Sequence, residues 1–367
     1  MKPVLFVTGH APSYRVGALA RLHEREDIEV ALFGGRSMHG GEVFEGEMPF
    51  PHRFLRPHEL APLAASGRHR AVVFPTGGRI APVATWAGAR RARLPLILWA
   101  SLWAHPRSAA HALSYLPLRR LYRSADAIVT YGPHVSAYVR ARGARNVHVA
   151  PQSVDNDFWG APGVAAPGER TWPAEAATKF LFVGRPVREK GVGVLIEAWG
   201  SSGLQAPTAA LVLVGVGSRP PWIPAGGAAG QALGEVFWLA PVAPAELRNL
   251  YAAADVLVVP SIPTRTFREP WGLVVNEAMN RGLAVIASDA VGAAAGGLIR
   301  NGENGLVVPA GDSTALADAL RRLTDDPPMR ARLGRAGAED VRAFSHDAWA
   351  RGFSEALASL GLSRGRW

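Results

Sequence analysis

The chain has 367 residues, 48% of them hydrophobic, a formal net charge of +10 and no cysteine. That length exceeds the usual single-core size, and the apolar fraction is ample for two packed cores. The absence of cysteine excludes disulfides, a thiolate nucleophile and Cys-ligated zinc or iron–sulfur centres, while the charge comes from arginines spread along the chain without a recognisable nucleic-acid module, which argues against a DNA or RNA partner.

Six short apolar strands are predicted before residue 152: Pro3–Thr8, Glu29–Gly34, Ala71–Thr76, Leu96–Ser101, Ala127–Gly132 and Val147–Pro151. The first runs into T-G-H-A-P-S-Y-R-V-G rather than G-x-G-x-x-G, so the ordinary dinucleotide fingerprint is absent. Between the fourth and fifth strands, A-L-S-Y-L-P-L-R-R-L-Y-R mixes Leu113, Tyr115, Leu116, Leu118 and Leu121 with Arg119, Arg120 and Arg123 around Pro117. Two readings stay open for this stretch. It is either a core-facing helix with solvated arginines or a basic amphipathic helix that meets anionic lipid.

The segment Gly160 to Ala177 is rich in Pro, Gly and Ala without periodicity and reads as an interdomain linker. Six more strands follow: Lys179–Gly184, Ala209–Gly215, Val236–Pro241, Val256–Ser261, Ala284–Ser288 and Gly305–Ala310. Many are continuous apolar runs, as strands buried on both faces should be, and helical stretches separate most of them. The expected fold class is therefore α/β, with two doubly wound, Rossmann-like domains of parallel strands. The expected boundaries are 1–165, 172–345 and a terminal helix over 346–367.

After the first of these strands comes G-R-P-V-R-E-K-G, Gly184 to Gly191, and then a helical run Val192 to Trp199. Lys190 stands out because Lys2 and Lys179 are the only other lysines. Further on, E-P-W-G-L-V-V-N-E spans Glu269 to Glu277 and leads to Gly282 and the strand Ala284 to Ser288. A helix opening near Trp271 or Gly272 would aim its unpaired N–H groups at the place where Glu269 sits, a setting that suits phosphate. Singly, each carboxylate would do no more than stabilise a helix start, by under about 1 kcal/mol. Phosphates at the helix start with hydroxyls on either side describe a nucleotide sugar.

Together these segments resemble the E-x7-E and G-R-x4-K-G motifs of family-4 retaining glycosyltransferases of the GT-B fold. The resemblance is dense over the C-terminal half and in outline only over the N-terminal half. It implies that the sheets of the two domains face an interdomain cleft, and that the terminal stretch F-S-H-D-A-W-A-R-G-F-S-E-A-L crosses back to the N-terminal, acceptor-binding domain. It further implies that Glu269 binds hydroxyls of the donor sugar, that Glu277 binds the ribose, and that Arg185 and Lys190 meet the donor diphosphate. Gly184, Trp271, Gly272 and Leu273 would complete the donor site. Leu239, in F-W-L-A-P-V with Ala240 where glycine is usual, would help hold the base through the backbone. His10, Ser13, Tyr14 and Arg15 would bind the acceptor, and His105 would lie near the sugar. Gln152, in V-A-P-Q-S-V-D, replaces the family's usual Asn at a turn.

The expected reaction moves a sugar from a nucleoside-diphosphate sugar to an acceptor hydroxyl of a natural product, glycan or glycolipid precursor, with retention. No cofactor is expected, and no metal, since the histidines lack ligand spacing and D-N-D at Asp155 to Asp157 falls in the linker region. A GT-B sugar-nucleotide epimerase would need further acid/base residues at the sugar ring. A non-catalytic nucleotide-sugar-binding subunit would tolerate loss of Arg185, Lys190 or Glu269, all of which are present. With neither a charged-then-apolar leader nor a run of 18 apolar residues, the expected location is cytoplasmic, with peripheral membrane contact as the open alternative. The sequence sets no oligomeric state.

Overall fold

The computed structural model describes residues 1–34, 47–77, 80–162, 172, 176–223 and 236–365. The chain divides into two units, one made of Met1–Asp155 with Phe344–Trp367, the other of Asn156–Ala343. Each is built on one parallel sheet.

The first unit runs β1 (Val4–Thr8), α1 (Ser13–Glu26), β2 (Ile28–Leu32), β3 (His52–Phe54), α2 (Leu60–Ala65), β4 (Ala71–Pro75), α3 (Ala81–Arg91), β5 (Leu96–Ala100), α4 (Ala109–Ser124), β6 (Ala127–Thr130), α5 (Pro133–Arg140) and β7 (Val147–Val149). Its seven strands are ordered β3-β2-β1-β4-β5-β6-β7. Along β1, Val4 and Phe6 join one core cluster while Leu5 and Val7 join another. Burial on both faces is why that strand is apolar throughout rather than alternating. The sequence reading omits β3, because all three of its residues are exposed and it carries no hydrophobic pattern.

The second unit runs α6 (Asn156–Gly160), β8 (Thr178–Val183), α7 (Val192–Ser202), β9 (Ala209–Val214), β10 (Val236–Leu239), α8 (Pro244–Ala253), β11 (Val256–Val259), α9 (Val274–Asn280), β12 (Ala284–Ser288), α10 (Gly292–Ala295), β13 (Leu306–Val308), α11 (Ser313–Asp325) and α12 (Pro327–Asp340). The strand order is β10-β9-β8-β11-β12-β13. Phe180, Phe182, Leu211, Leu213, Val258 and Ile286 pack with Trp199 of α7 and Leu320 of α11 in its core.

The chain then returns to the first unit as α13 (His346–Ala358). This helix starts on a Ser345 side chain that accepts from the Ala348 N–H, an N-cap that satisfies one orphan donor. It packs against α1. Trp349 and Phe353, both fully buried, pack with Phe6 and Trp99, with ring centroids between 4.6 and 6.1 Å apart.

The division falls at Asp155, whereas composition put the first boundary at 165. Composition marks flexible chain, but side-chain contacts decide membership, and α6 is held to the second unit. Asn280 Nδ2 donates to Asn156 Oδ1 at 2.9 Å and Trp159 meets Tyr251 edge-on at 5.7 Å. Much of the expected linker, 163–171 and 173–175, lies outside the described residues.

Candidate functional site

In the second unit Gly184, Lys190, Glu269 and Gly272, of the expected donor residues, meet beyond the C-terminal ends of β8 and β11. Beyond β8, Arg188–Lys190 form a single 3-10 turn, and Gly191 follows in the left-handed region at φ 73°. A Cβ at Gly191 would lie 1.9 Å from the Pro260 carbonyl oxygen. Only glycine lets this turn abut the segment that leaves β11. The Glu189 carbonyl accepts from the Ile262 N–H at 2.9 Å, fixing the same contact.

The turn delivers Lys190 to Glu269. Lys190 Nζ donates to Glu269 Oε2 at 2.5 Å, and Ser261 Oγ donates to the same oxygen at 3.3 Å. Glu269 is 7% exposed and forms a parallel bridge with Val291. Gly184 lies close by, its missing Cβ 3.8 Å from the Lys190 stem. Arg185 is exposed.

The helix carrying Glu277 starts later and is shorter than the sequence suggests. α9 begins at Val274 rather than Trp271 or Gly272, because Gly272 has φ 92°, outside any helix. It ends at Asn280, and Leu273 is its half-buried N-cap. The Trp271 indole is buried and donates to Asn276 Oδ1 at 2.8 Å, so its side chain is committed to packing. Glu277 Oε2 accepts from the Tyr251 hydroxyl at 2.8 Å. Burial lifts the Glu277 carboxyl to about 7, with the Tyr251 hydrogen bond opposing the rise, and burial beside Glu277 sends the Tyr251 phenol well above its ordinary value. Sequence reasoning does not find Tyr251, since a helical tyrosine 26 residues upstream gives no local signal.

At the end of β10, the Leu239 carbonyl accepts from the N–H groups of Gly215, Val216 and Gly217 at 2.8–3.1 Å, and Leu239 pairs with Val214 in the sheet. The Leu239 carbonyl is therefore already engaged within the second unit.

In the first unit a cavity of about 360 Å³ opens beyond the C-terminal ends of the strands, where ligands bind in open parallel sheets. His10, Tyr14 and Arg15 line it with Thr76, Trp99 and Tyr131. Ser13, in the first turn of α1, is exposed and outside that lining. Arg15 is 4% exposed. Its guanidinium packs 5.1–5.4 Å from the ring centres of Tyr14, Trp99 and Trp349, and Nη2 donates to Gln152 Oε1 at 2.5 Å. Gln152 thus has a partner across the fold, beyond the turn role that its sequence position suggests. Burial draws the Arg15 guanidinium below its ordinary value and raises the Tyr131 phenol to about 12. Thr76 and Ser101 escaped sequence reasoning, although both sit just past strand ends in a parallel sheet, the signal that would have found them.

His105 does not join this group. Its Nε2 donates to the His111 carbonyl at 2.8 Å, its Nδ1 faces the Tyr138 hydroxyl at 3.5 Å and its ring meets Tyr115 edge-on. On α4, Leu113 is 82% and Leu116 69% exposed, beside exposed Arg119, Arg120 and Arg123. Among the described residues no helix is long and apolar enough to cross a membrane, and no three His, Asp or Glu side chains gather as metal ligands.

A family profile described as "Glycosyl transferases group 1" matches residues 171–340. D-inositol 3-phosphate glycosyltransferase of Xylanimonas cellulosilytica is 31% identical over 287 residues, 72% of this chain and 66% of that protein. The protein of the same name from Corynebacterium aurimucosum is 33% identical over 221 residues, 54% of this chain and 48% of that protein. The chain thus spans about half the length, or less, of several curated relatives it matches. Among solved structures, sucrose-phosphate synthase from Thermosynechococcus elongatus superimposes with a TM-score of 0.74 at 21% identity, covering 98% of this chain and 99% of that one. Anabaena HepE in complex with UDP-glucose gives 0.70 at 19% identity, covering 98% and 100%. At such identities the likeness establishes the fold.

Proposed function

Since this chain belongs to the group 1 glycosyl transferases, of the family-4 type and with the GT-B fold, we propose that it transfers a sugar from a nucleoside-diphosphate sugar to an acceptor hydroxyl with retention of configuration. The observation that carries this reading is Lys190 Nζ held 2.5 Å from Glu269 Oε2 at the end of the second sheet. That pair sets a cation and a hydroxyl acceptor side by side, as a sugar joined to a phosphate requires.

In this reading Lys190 and Arg185 meet the diphosphate as the glycosidic bond breaks and negative charge grows on the leaving group. Glu269 accepts hydrogen bonds from sugar hydroxyls, held in place by Lys190 and Ser261. Glu277, oriented by Tyr251, accepts from the ribose. The cations take the neutralising role, so the reading includes no metal and no cofactor. The acceptor enters the cavity lined by His10, Tyr14 and Arg15. The exposed leucines and arginines of α4 support a peripheral encounter with an anionic membrane surface.

The test is to incubate the chain with a panel of nucleotide sugars and measure free nucleoside diphosphate, with and without candidate acceptors and with and without EDTA. Acceptor-stimulated release that survives chelation is expected. Epimer formation without nucleotide release, or binding without turnover, would overturn the transferase reading. An absolute requirement for added magnesium or manganese would overturn the cationic role of Arg185 and Lys190.

A further inference from the structure

Three buried polar atoms, Arg15 Nη1, Trp99 Nε1 and His10 Nε2, have no hydrogen-bond partner among the described residues. All three belong to residues lining the cavity of the first unit described above. Guanidinium and indole N–H groups can only donate, so what they lack is an acceptor.

The surroundings sharpen the requirement. Among the described residues that line the cavity there is no aspartate or glutamate. Arg15, at 4% exposed, is held by rings and by the neutral Gln152 amide. A buried guanidinium without a carboxylate leaves its charge uncompensated. α1 begins at this cavity after Pro12, with no side-chain cap and no acidic residue in its first turn. Its free N–H groups and positive dipole end favour an anion at the same place. Thr76, Ser101 and Tyr131 also line the wall, with Ser101 hydrogen-bonded to Tyr131 and Thr76 interacting with Tyr122. A carboxylate accepts about four hydrogen bonds in one plane, whereas a phosphate monoester brings three strongly accepting oxygens in a tetrahedral array, which suits donors that converge from α1, Arg15 and Trp99.

We propose that the cavity beside α1 is a phosphate-monoester subsite in which Arg15 is the principal charge, so that the molecule bound there carries a phosphate besides the hydroxyl that reacts. Its role as the acceptor's anchor rests on the transferase reading given above. The anion site itself does not.

The test uses the full chain with saturating nucleoside diphosphate, which occupies any phosphate site at Arg185 and Lys190, and titrates methyl phosphate while following the melting temperature. Wild-type chain should be stabilised, Arg15→Lys should respond more weakly, and Arg15→Gln should lose about tenfold or more in apparent affinity. Arg185→Ala should respond like wild type. An equal response from Arg15→Gln and wild type would overturn the proposal, as would acetate matching methyl phosphate. Should both Arg15 variants fail to fold, crystals of the wild-type chain soaked in selenate, a tetrahedral anion of phosphate's shape, decide the matter. An anomalous peak within hydrogen-bonding distance of Arg15 Nη1 supports the site, and peaks only elsewhere overturn it. Intact nucleotide release with no phosphate response defeats the subsite and spares the transferase reading. A response dependent on Arg15 in a chain that turns over no donor does the reverse.

Discussion

Lys190 Nζ donates to Glu269 Oε2 at 2.5 Å although the two residues stand 79 positions apart. The ammonium is partly exposed and the carboxylate nearly buried, with side-chain exposures of 21% and 8%. Each orients the other, so their contributions to transfer should not be independent. We expect Glu269→Gln and Lys190→Met each to lower kcat/KM on the order of 100-fold. The double variant should lose much less than the product. Strictly multiplicative losses in folded proteins would show that the pair does not act as one unit.

Gly191 makes that pairing possible. Gly191→Ala places a Cβ against the Pro260 carbonyl and forces a side chain into φ 73°. The backbone term alone should cost roughly 1–2 kcal/mol. Shifting the turn should also raise donor KM, because Lys190 moves with it. Urea midpoints and donor kinetics measure the two effects, and an unchanged KM would place Lys190 outside the donor site.

Glu277 makes stability and donor binding depend on pH in opposite directions. Its carboxyl is raised from an ordinary 4.5 to about 7 by burial. Between those values the folded state holds a proton that the unfolded state has released, so stability falls as pH rises, by at most ~1.4 kcal/mol per unit. In the proposed role of Glu277 as acceptor from the ribose the ionised form binds better, so donor KM should fall as pH climbs through about 7. Glu277→Gln should flatten the stability profile. Tyr251→Phe, by removing the hydrogen bond that favours ionisation, should move the KM transition to higher pH. Thermal melts and donor kinetics from pH 5 to 8 provide the check, and a transition unmoved by Tyr251→Phe would remove its positioning role.

The terminal helix is a structural part of the first unit. Trp349 is fully buried among Phe6, Trp99 and Phe353. Trp349→Ala should destabilise by ~3–5 kcal/mol, the range for emptying a large aromatic site. Chemical denaturation measures it, and a loss under about 1 kcal/mol would mean that the helix is dispensable to this core.

On α4, Leu113→Gln with Leu116→Gln should leave stability within about 0.5 kcal/mol, since both side chains are exposed. Binding to vesicles rich in anionic lipid should fall in the double variant. Equal vesicle binding by the variant and the wild-type chain would remove the lipid-surface reading of this helix.

Sequence by itself determined the strands other than β3, their parallel class, and the segments that carry Lys190, Glu269 and Glu277. These follow from short-range causes: apolar runs of strand length, and glycines wherever the chain turns or crowds another backbone. Tertiary structure alone decided what those residues touch. Arg15 reaches Gln152 across 137 positions and Glu277 meets Tyr251 across 26. Such partners are chosen by which strand ends the sheet order brings together, and periodicity holds no record of that order. The boundary at Asp155 and the late start of α9 belong to the same class, since Asn156 and Trp159 are claimed by residues far along the chain, and Gly272 at φ 92° postpones a helix that composition alone would begin sooner. The unpartnered donors around Arg15 were least legible of all, because an unmet hydrogen bond is a property of a finished cavity and not of any segment that lines it.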